Sequence, residues 1–245
     1  MERRYDLLMQ IFGYGLCRGF LISVVWLCCT LSSVFPVAAQ VGIVRTVEGQ
    51  VSVSSGRQEC APRYGLDLDE GDAIRTGDKA WALLTMMDGA KITVRPDTEV
   101  RIDVYRYTDA GDPAQNQARF TLMRGAIRVA SARIAIGHNN GFLVTTPDAS
   151  MDLRGADNDI TYLAPKVTPA GTAQSGTYGR SYAGEAVLKN AGGEVTVRAG
   201  QTAFAELRMR VPPRMLSAEP YFYYLYGYID RRAAAVAEKL DAILP

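Results

Sequence analysis

A chain of 245 residues with 48% hydrophobic and 22% charged residues has an ordinary globular composition, which excludes fibrous and disordered classes and sets one main domain as the expectation. Its formal net charge is +1 and its Lys and Arg are dispersed, so no long-range field favours nucleic acid as a partner.

The first 39 residues stand apart. Arg3, Arg4 and Arg18 precede an uncharged stretch from Gly19 to Phe35, and Val37-Ala38-Ala39 supplies the small residues of a cleavage site. Residues 1–39 therefore read as a signal peptide cut between Ala39 and Gln40. The alternative is an uncleaved membrane anchor, but the apolar run from Phe20 to Val34 would span only about 22 Å as a helix against about 30 Å of hydrocarbon. Export predicts a periplasmic protein, with inner-membrane anchoring as the alternative, and the membrane is a partner only if the segment is retained. Cys17, Cys28 and Cys29 lie inside this segment, so the mature chain keeps only Cys60 and can form no internal disulfide. Cys60 reads as a passive residue of the loop Gly56 to Pro62.

Residues 40–207 read as a β domain. Val51 and Val53 alternate with Ser52 and Ser54, and Val100, Ile102 and Val104 alternate with Arg101, Asp103 and Tyr105. This period of two gives strands with one buried and one wet face. Trp81 to Met87 is apolar without alternation, which predicts a central strand covered on both faces. Between Glu70 and Asp103, Gly71, Gly77 and Gly89 cut the chain beside Asp72, Asp78 and Asp88, the chemistry of tight turns at positive φ. Some fourteen short strands fit between Val41 and Ala205. The predicted fold is all-β, a twisted sandwich or solenoid-like stack of short strands, followed by a C-terminal amphipathic helix.

Two polar loops interrupt the strands, Asp109 to Gln117 and Ala164 to Gly179. Val211-Pro212-Pro213 stops the last strand, because proline cannot donate to a ladder, and residues 208–219 read as a linker. Pro220 suits the first turn of a helix over residues 220–245, in which Ile229, Ala233, Val236, Leu240 and Ile243 recur at helical spacing. Its tyrosine-rich start has three readings: docking onto the β domain, a partner or self-association surface made by Tyr221, Phe222, Tyr224, Tyr226 and Tyr228, or a sugar-stacking platform.

Catalytic parts are scarce in this sequence. The only histidine, His138, sits in a polar turn beside Asn139 and Asn140, and no nucleophile elbow, P-loop or dinucleotide fingerprint is present. The acidic group Asp67, Asp69, Glu70 and Asp72 fails the calcium-loop spacing, because Gly71 stands where an oxygen ligand is needed. Asp157 and Asp159 flank Asn158 in what reads as a second solvated acidic turn. The sequence thus predicts no catalytic residue, no metal site and no cofactor.

The string from Leu68 to Gly77, followed by Ala80 to Leu84 and Asp88-Gly89-Ala90, resembles the FecR domain family, with its "G-D-x-I-x-T-G" turn, apolar strand and "D-G-S". Ala90 stands where serine is usual. Leu122-Met123-Arg124-Gly125 resembles the family's "L-x-x-G", and Thr146-Pro147-Asp148-Ala149 its "T-P-x-A". Arg154-Gly155-Ala156 stands in place of "R-G-T", without the threonine hydroxyl. Gly71, Asp72, Gly77, Asp88, Gly89, Arg154 and Gly155 are the expected structural turns. The resemblance covers about Val41 to Ala205 and implies a periplasmic domain of repeated β-units. Well-known members are signal transducers with a cytoplasmic anti-sigma segment. Only about eighteen residues precede the apolar run here, so a stand-alone exported module is expected, binding an envelope protein, with glycan or peptidoglycan binding as the alternative.

Overall fold

A computed structural model of the protein describes residues 40–243, apart from positions 57, 131, 166–172 and 208–209. Residues 1–39, expected from the sequence to be a signal peptide, lie outside the described residues. From Gly42 onward the chain is mostly strand: β1 (Gly42–Glu48), β2 (Val51–Ser55), β3 (Gln58–Cys60), β4 (Asp67–Leu68), β5 (Ala73–Thr76), β6 (Trp81–Met86), β7 (Lys91–Val94), β8 (Glu99–Arg106) and a long β9 (Gln117–Ala130). A five-residue helix, α1 (Arg133–Gly137), precedes β10 (Phe142–Thr145), β11 (Ser150–Leu153), β12 (Asp157–Leu163), β13 (Gly176–Ala183), β14 (Glu185–Asn190), β15 (Gly193–Arg198), β16 (Thr202–Glu206) and β17 (Arg214–Met215). The C-terminal helix is α2 (Phe222–Ile243).

These strands form two layers that share β9. Sheet A runs in the order β4-β1-β6-β7-β9-β12-β13-β16-β17. Sheet B runs in the order β3-β2-β5-β8-β9-β10-β11-β14-β15. Residues 117–124 of β9 pair in sheet B with β8, whereas Gly125 to Ala130 pair in sheet A with β12. Gly125 makes the crossing possible. Its φ is +83°, and a Cβ there would sit 2.3 Å from Thr98 Oγ1 and 2.5 Å from Thr98 Cα, so both conformation and space demand glycine.

The inner faces of the two sheets make one core. Val44, Leu84, Ile92, Ile127 and Ile160 of sheet A meet Ile74, Ile102, Leu122, Val144, Met151 and Leu188 of sheet B, all at most 2% exposed. Phe120 stacks on Phe142 at 5.4 Å, and the Tyr105 ring meets both edge-on. Each such aliphatic side chain contributes about 1.5–3 kcal/mol by leaving water. The expected central strand is β6: Ala82, Leu84 and Met86 enter this core, while Trp81 and Leu83 are buried on the other face, beneath α2.

The turn residues hold more than turns. Gly71 and Gly89 take the expected positive φ, whereas Gly77 does not. Asp88 is fully buried. Its Oδ1 accepts the Ala90 amide at 2.9 Å and the Tyr105 hydroxyl at 2.6 Å, and its Oδ2 accepts the Ile134 amide at 3.1 Å. One turn aspartate therefore ties the β6–β7 hairpin to β8 and to α1, and burial together with Asp88 raises the pKa of Tyr105 above its ordinary value. Ala90 is fully buried beside it. Asp72 is also buried, and Glu70 accepts the Tyr105 amide at 2.7 Å. Gly155 and Gly184 meet so closely that a Cβ on Gly184 would lie 2.5 Å from the Gly155 Cα. Arg154 binds Asp152 at 2.6 Å.

Several local expectations change. The 164–179 loop ends earlier, because β13 begins at Gly176 and pairs with β12 and β16. The prolines at 212 and 213 do not end strand structure, since Arg214 and Met215 pair with Phe204 and Ala203. Cys60 lies in edge strand β3 and is exposed, not in a loop. Asp157 and Asp159 are not a solvated turn: they open β12, and Asp159 is 1% exposed.

Candidate functional site

The terminal helix is a third layer on the outer face of sheet A. Strong helix formers from Arg231 onward favour it, and an inward stripe at 3.6-residue spacing directs it. Phe222 and Tyr223 pack with Leu163, Tyr178 and Phe204, while Ala233 and Ala237 pack with Trp81 and Leu83. The two alanines let the helix approach the sheet closely. At the rim, Arg232 binds Glu48 at 2.7 Å, and Glu48 also accepts the Trp81 indole N–H at 3.2 Å.

A charge cluster lies in the middle of this interface. Asp230 sits on the inward stripe and is 7% exposed. Arg95, just after β7, is fully buried; its Nε and Nη2 donate to the two oxygens of Asp230 at 3.2 and 2.8 Å, and its Nη1 forms an ion pair with Asp159 at 2.5 Å. Arg128 on β9 donates to Asp157 through Nε and Nη2 at 2.8 and 2.6 Å, and to Asp230 through Nη1 at 3.0 Å. Two guanidinium forks are thus matched to three carboxylates, and Asp230 is the one carboxylate shared by both.

The electrostatics follow from this enclosure. Burial pulls Arg95 toward neutrality, but the attraction of Asp159 and Asp230 outweighs it and holds the pKa above the ordinary arginine value. Hydrogen bonding to Asp157 does the same for Arg128. Asp159 moves the other way in charge: desolvation raises its pKa despite Arg95, and Asp230 adds to the rise. The Tyr226 ring covers Arg95 at 4.4 Å, and burial pushes its hydroxyl up to about 12. Tyr182 contacts two arginines, Arg128 at 4.2 Å and Arg180 at 4.4 Å.

The expected contact tyrosines are divided by the helix period. Phe222 is buried and Tyr226 is half-buried over Arg95, whereas Tyr221, Tyr224 and Tyr228 are 61%, 71% and 57% exposed, with Leu225 at 48%. The outward group forms one face. A cleft of about 590 Å³ opens on one flank of it, between α2 and the 96–97 and 124–125 turns, with Leu225 and Ile229 on its wall. A smaller pocket of about 390 Å³ lies on the other flank, against Tyr224 and Arg231.

The remaining predicted positions are scattered. Gly71, Asp72, Gly77, Asp88, Gly89, Arg154 and Gly155 serve the sandwich, and the Gly77 carbonyl accepts the Asp97 amide at 3.0 Å beside the cleft. His138 follows α1 at its C-terminal end. Gln40 is exposed, and Ala39 is outside the described residues. Among the described residues, no group of three or more His, Cys, Asp or Glu has the arrangement of a metal site. Of the interface ions, Arg95, Arg128 and Asp230 are not singled out in the sequence, and Asp159 is expected there only as part of a solvated acidic turn. Asp230 alone carried a signal, as a charge on the same stripe as Ala233 and Ala237.

The architecture is a two-layer β-sandwich carrying a helical outer layer. Residues 72–168 match the family model described as FecR protein, and the chain therefore contains a FecR domain over those residues. Two crystal structures of a putative anti-sigma factor from Parabacteroides distasonis ATCC 8503 are similar, at 12% and 13% identity and TM-scores of 0.44 and 0.43. The match covers 62% of this chain and 63% and 64% of those chains, so less than two thirds of their length is spanned. No curated protein matches the chain.

Proposed function

We propose that this protein is a periplasmic, non-enzymatic interaction module in envelope signalling, and that it meets an envelope protein through the outward face of α2. The observation that carries this reading is the fixed exposure of Tyr221, Tyr224, Leu225 and Tyr228 on a helix whose other face is held by Asp230. Monomer surfaces rarely collect large apolar side chains without use, and tyrosine is enriched at the centre of protein interfaces. The cleft beside Leu225 and Ile229 offers a socket for a partner side chain. The FecR domain supports a signalling context, and the signal-peptide pattern of residues 1–39 supports the compartment.

The test is in-cell photocrosslinking. A photoreactive residue is placed at position 224 or 228, and a control at Lys189, which is exposed on sheet B. The expected result is a discrete adduct from 224 and 228 that is absent from 189 and disappears in the Tyr221→Ala variant. Equal labelling from all three positions contradicts the reading. Capture of purified peptidoglycan that depends on the same tyrosines would favour glycan binding instead.

A further inference from the structure

The 390 Å³ pocket on the flank of α2 is bounded by Arg128, Arg180, Glu219, Tyr224 and Arg231, with Gly227 as its helical wall, and by Asp230, whose charge Arg95 and Arg128 already match. Its cations differ in how they are used. Arg128 is consumed by Asp157 and Asp230. Arg180 is held between the Tyr182 and Tyr223 rings at 4.4 and 5.2 Å, and its Nε is buried with no hydrogen-bond partner. Its Nη1 pairs with Glu219, a residue of the segment leading into α2. Arg231 is exposed and has no ion-pair partner among the described residues. A pre-oriented guanidinium, paired only with Glu219, and a second free one therefore meet in one pocket.

Gly227 points the same way. A glycine inside a helix costs about 1 kcal/mol relative to alanine. Here the space it leaves is open, since a Cβ would meet only the Arg231 Nη1, at 3.7 Å. Neither positive φ nor close packing requires a glycine at this position. What its missing side chain does is open the pocket between Tyr224 and Arg231.

We infer that this pocket binds a carboxylate side chain of an acidic, partly apolar segment of the partner protein, which Arg180 and Arg231 receive while Tyr224 covers its apolar neighbour. Glu219 is the internal stand-in for that group: the chain already places one of its own carboxylates on Arg180, and an incoming carboxylate displaces it. This rests on α2 being the partner surface and adds the chemistry that the partner presents. Fork-shaped donors favour a planar carboxylate over an amide, which lacks the charge and one acceptor.

The experiment measures binding of two labelled hexapeptides to the purified full chain by fluorescence anisotropy, one of alternating leucine and glutamate and one with glutamine in place of glutamate. The acidic peptide is expected to bind about tenfold tighter, as a charge-assisted hydrogen bond allows. Glu219→Gln tightens it further by removing the competitor, and Arg231→Ala and Gly227→Leu each weaken it while leaving thermal stability at or above that of the parent. Equal affinity for both peptides overturns the inference, as does a Gly227→Leu variant that binds unchanged. Binding of inorganic phosphate without binding of the acidic peptide overturns it too. Adducts at 224 and 228 alongside any of these results leave the helix face as the partner surface and remove only the carboxylate site.

Discussion

Asp230 reaches Arg95 with both carboxylate oxygens across 135 residues of sequence, and the same carboxylate takes a bond from Arg128. This one side chain joins α2 to strand β9 and to the residue that follows β7. A buried ion pair of this kind is weak evidence for net stability, because desolvation offsets most of its attraction. What it does supply is a unique seat for the helix, since rotation by one residue would take from both guanidiniums the carboxylate they share. The outward tyrosines inherit their position from that seat.

Replacing Asp230 with alanine leaves Arg95 and Arg128 each short of a partner in a buried site. The expected loss is about 3–5 kcal/mol, the range found when one member of a buried pair is removed. Urea unfolding of the variant, followed by tyrosine fluorescence, measures it. A loss below about 1 kcal/mol, the level of an exposed pair, would show that α2 is not seated by these ions.

Asp159 predicts a pH dependence of definite sign. Its pKa is raised in the folded state, so the folded protein binds the extra proton; the stabilisation is complete below the unfolded value near 3.8 and is lost as pH rises through the folded value. The groups that face it are Arg95, Arg128, Asp230, Tyr182, Tyr223 and Tyr226. In Asp159→Asn this contribution is absent, so the stability of the variant relative to the parent increases from pH 4 to pH 7. A relative stability that falls over that range contradicts the assignment.

Gly125 and Gly89 separate two reasons for glycine. Both have positive φ, near +84° as a pair, but a Cβ at Gly125 collides with Thr98 while nothing lies within 4 Å at Gly89. Gly89→Ala is expected to cost about 1–2 kcal/mol from backbone strain alone. Gly125→Ala adds the collision at the point where β9 changes sheets and costs clearly more. Comparable melting temperatures for the two variants would argue against a steric role for Gly125.

Tyr105→Phe removes one of three donors to the buried Asp88. A cost of about 1–3 kcal/mol is expected, since the carboxylate keeps only the Ala90 and Ile134 amides. Differential scanning calorimetry reads the loss, and an unchanged melting point would mean that Asp88 does not need the hydroxyl.

Much of the sandwich was legible because its information is local. The unalternating run at Trp81 to Met87 predicts a strand covered twice, and as far as Met86 it is covered by the core and by α2. The order of the Asp-Gly turns carries the family resemblance. What was not legible depends on partners far away in the chain. Asp157-Asn158-Asp159 looks like a polar turn until Arg95 and Arg128 are placed over it. The crossing of β9 at Gly125 depends on Thr98, which no periodicity announces. The tyrosine cluster was visible, but its division into inward Phe222, Tyr223 and Tyr226 and outward Tyr221, Tyr224 and Tyr228 follows only when the helix phase is set by Asp230. That phase also makes removal of the whole tail a poor test, because deletion would strip the cover from Trp81, Leu83 and the buried ions.

The most direct measurement places the photocrosslinker at position 228 in two backgrounds, the parent and Asp230→Ala, in cells with matched protein levels. The account predicts a discrete protein adduct in the parent and its loss when α2 is no longer seated. The same adduct in both backgrounds, or none in the parent, would contradict the claim that the ion cluster fixes the helix as an interaction face.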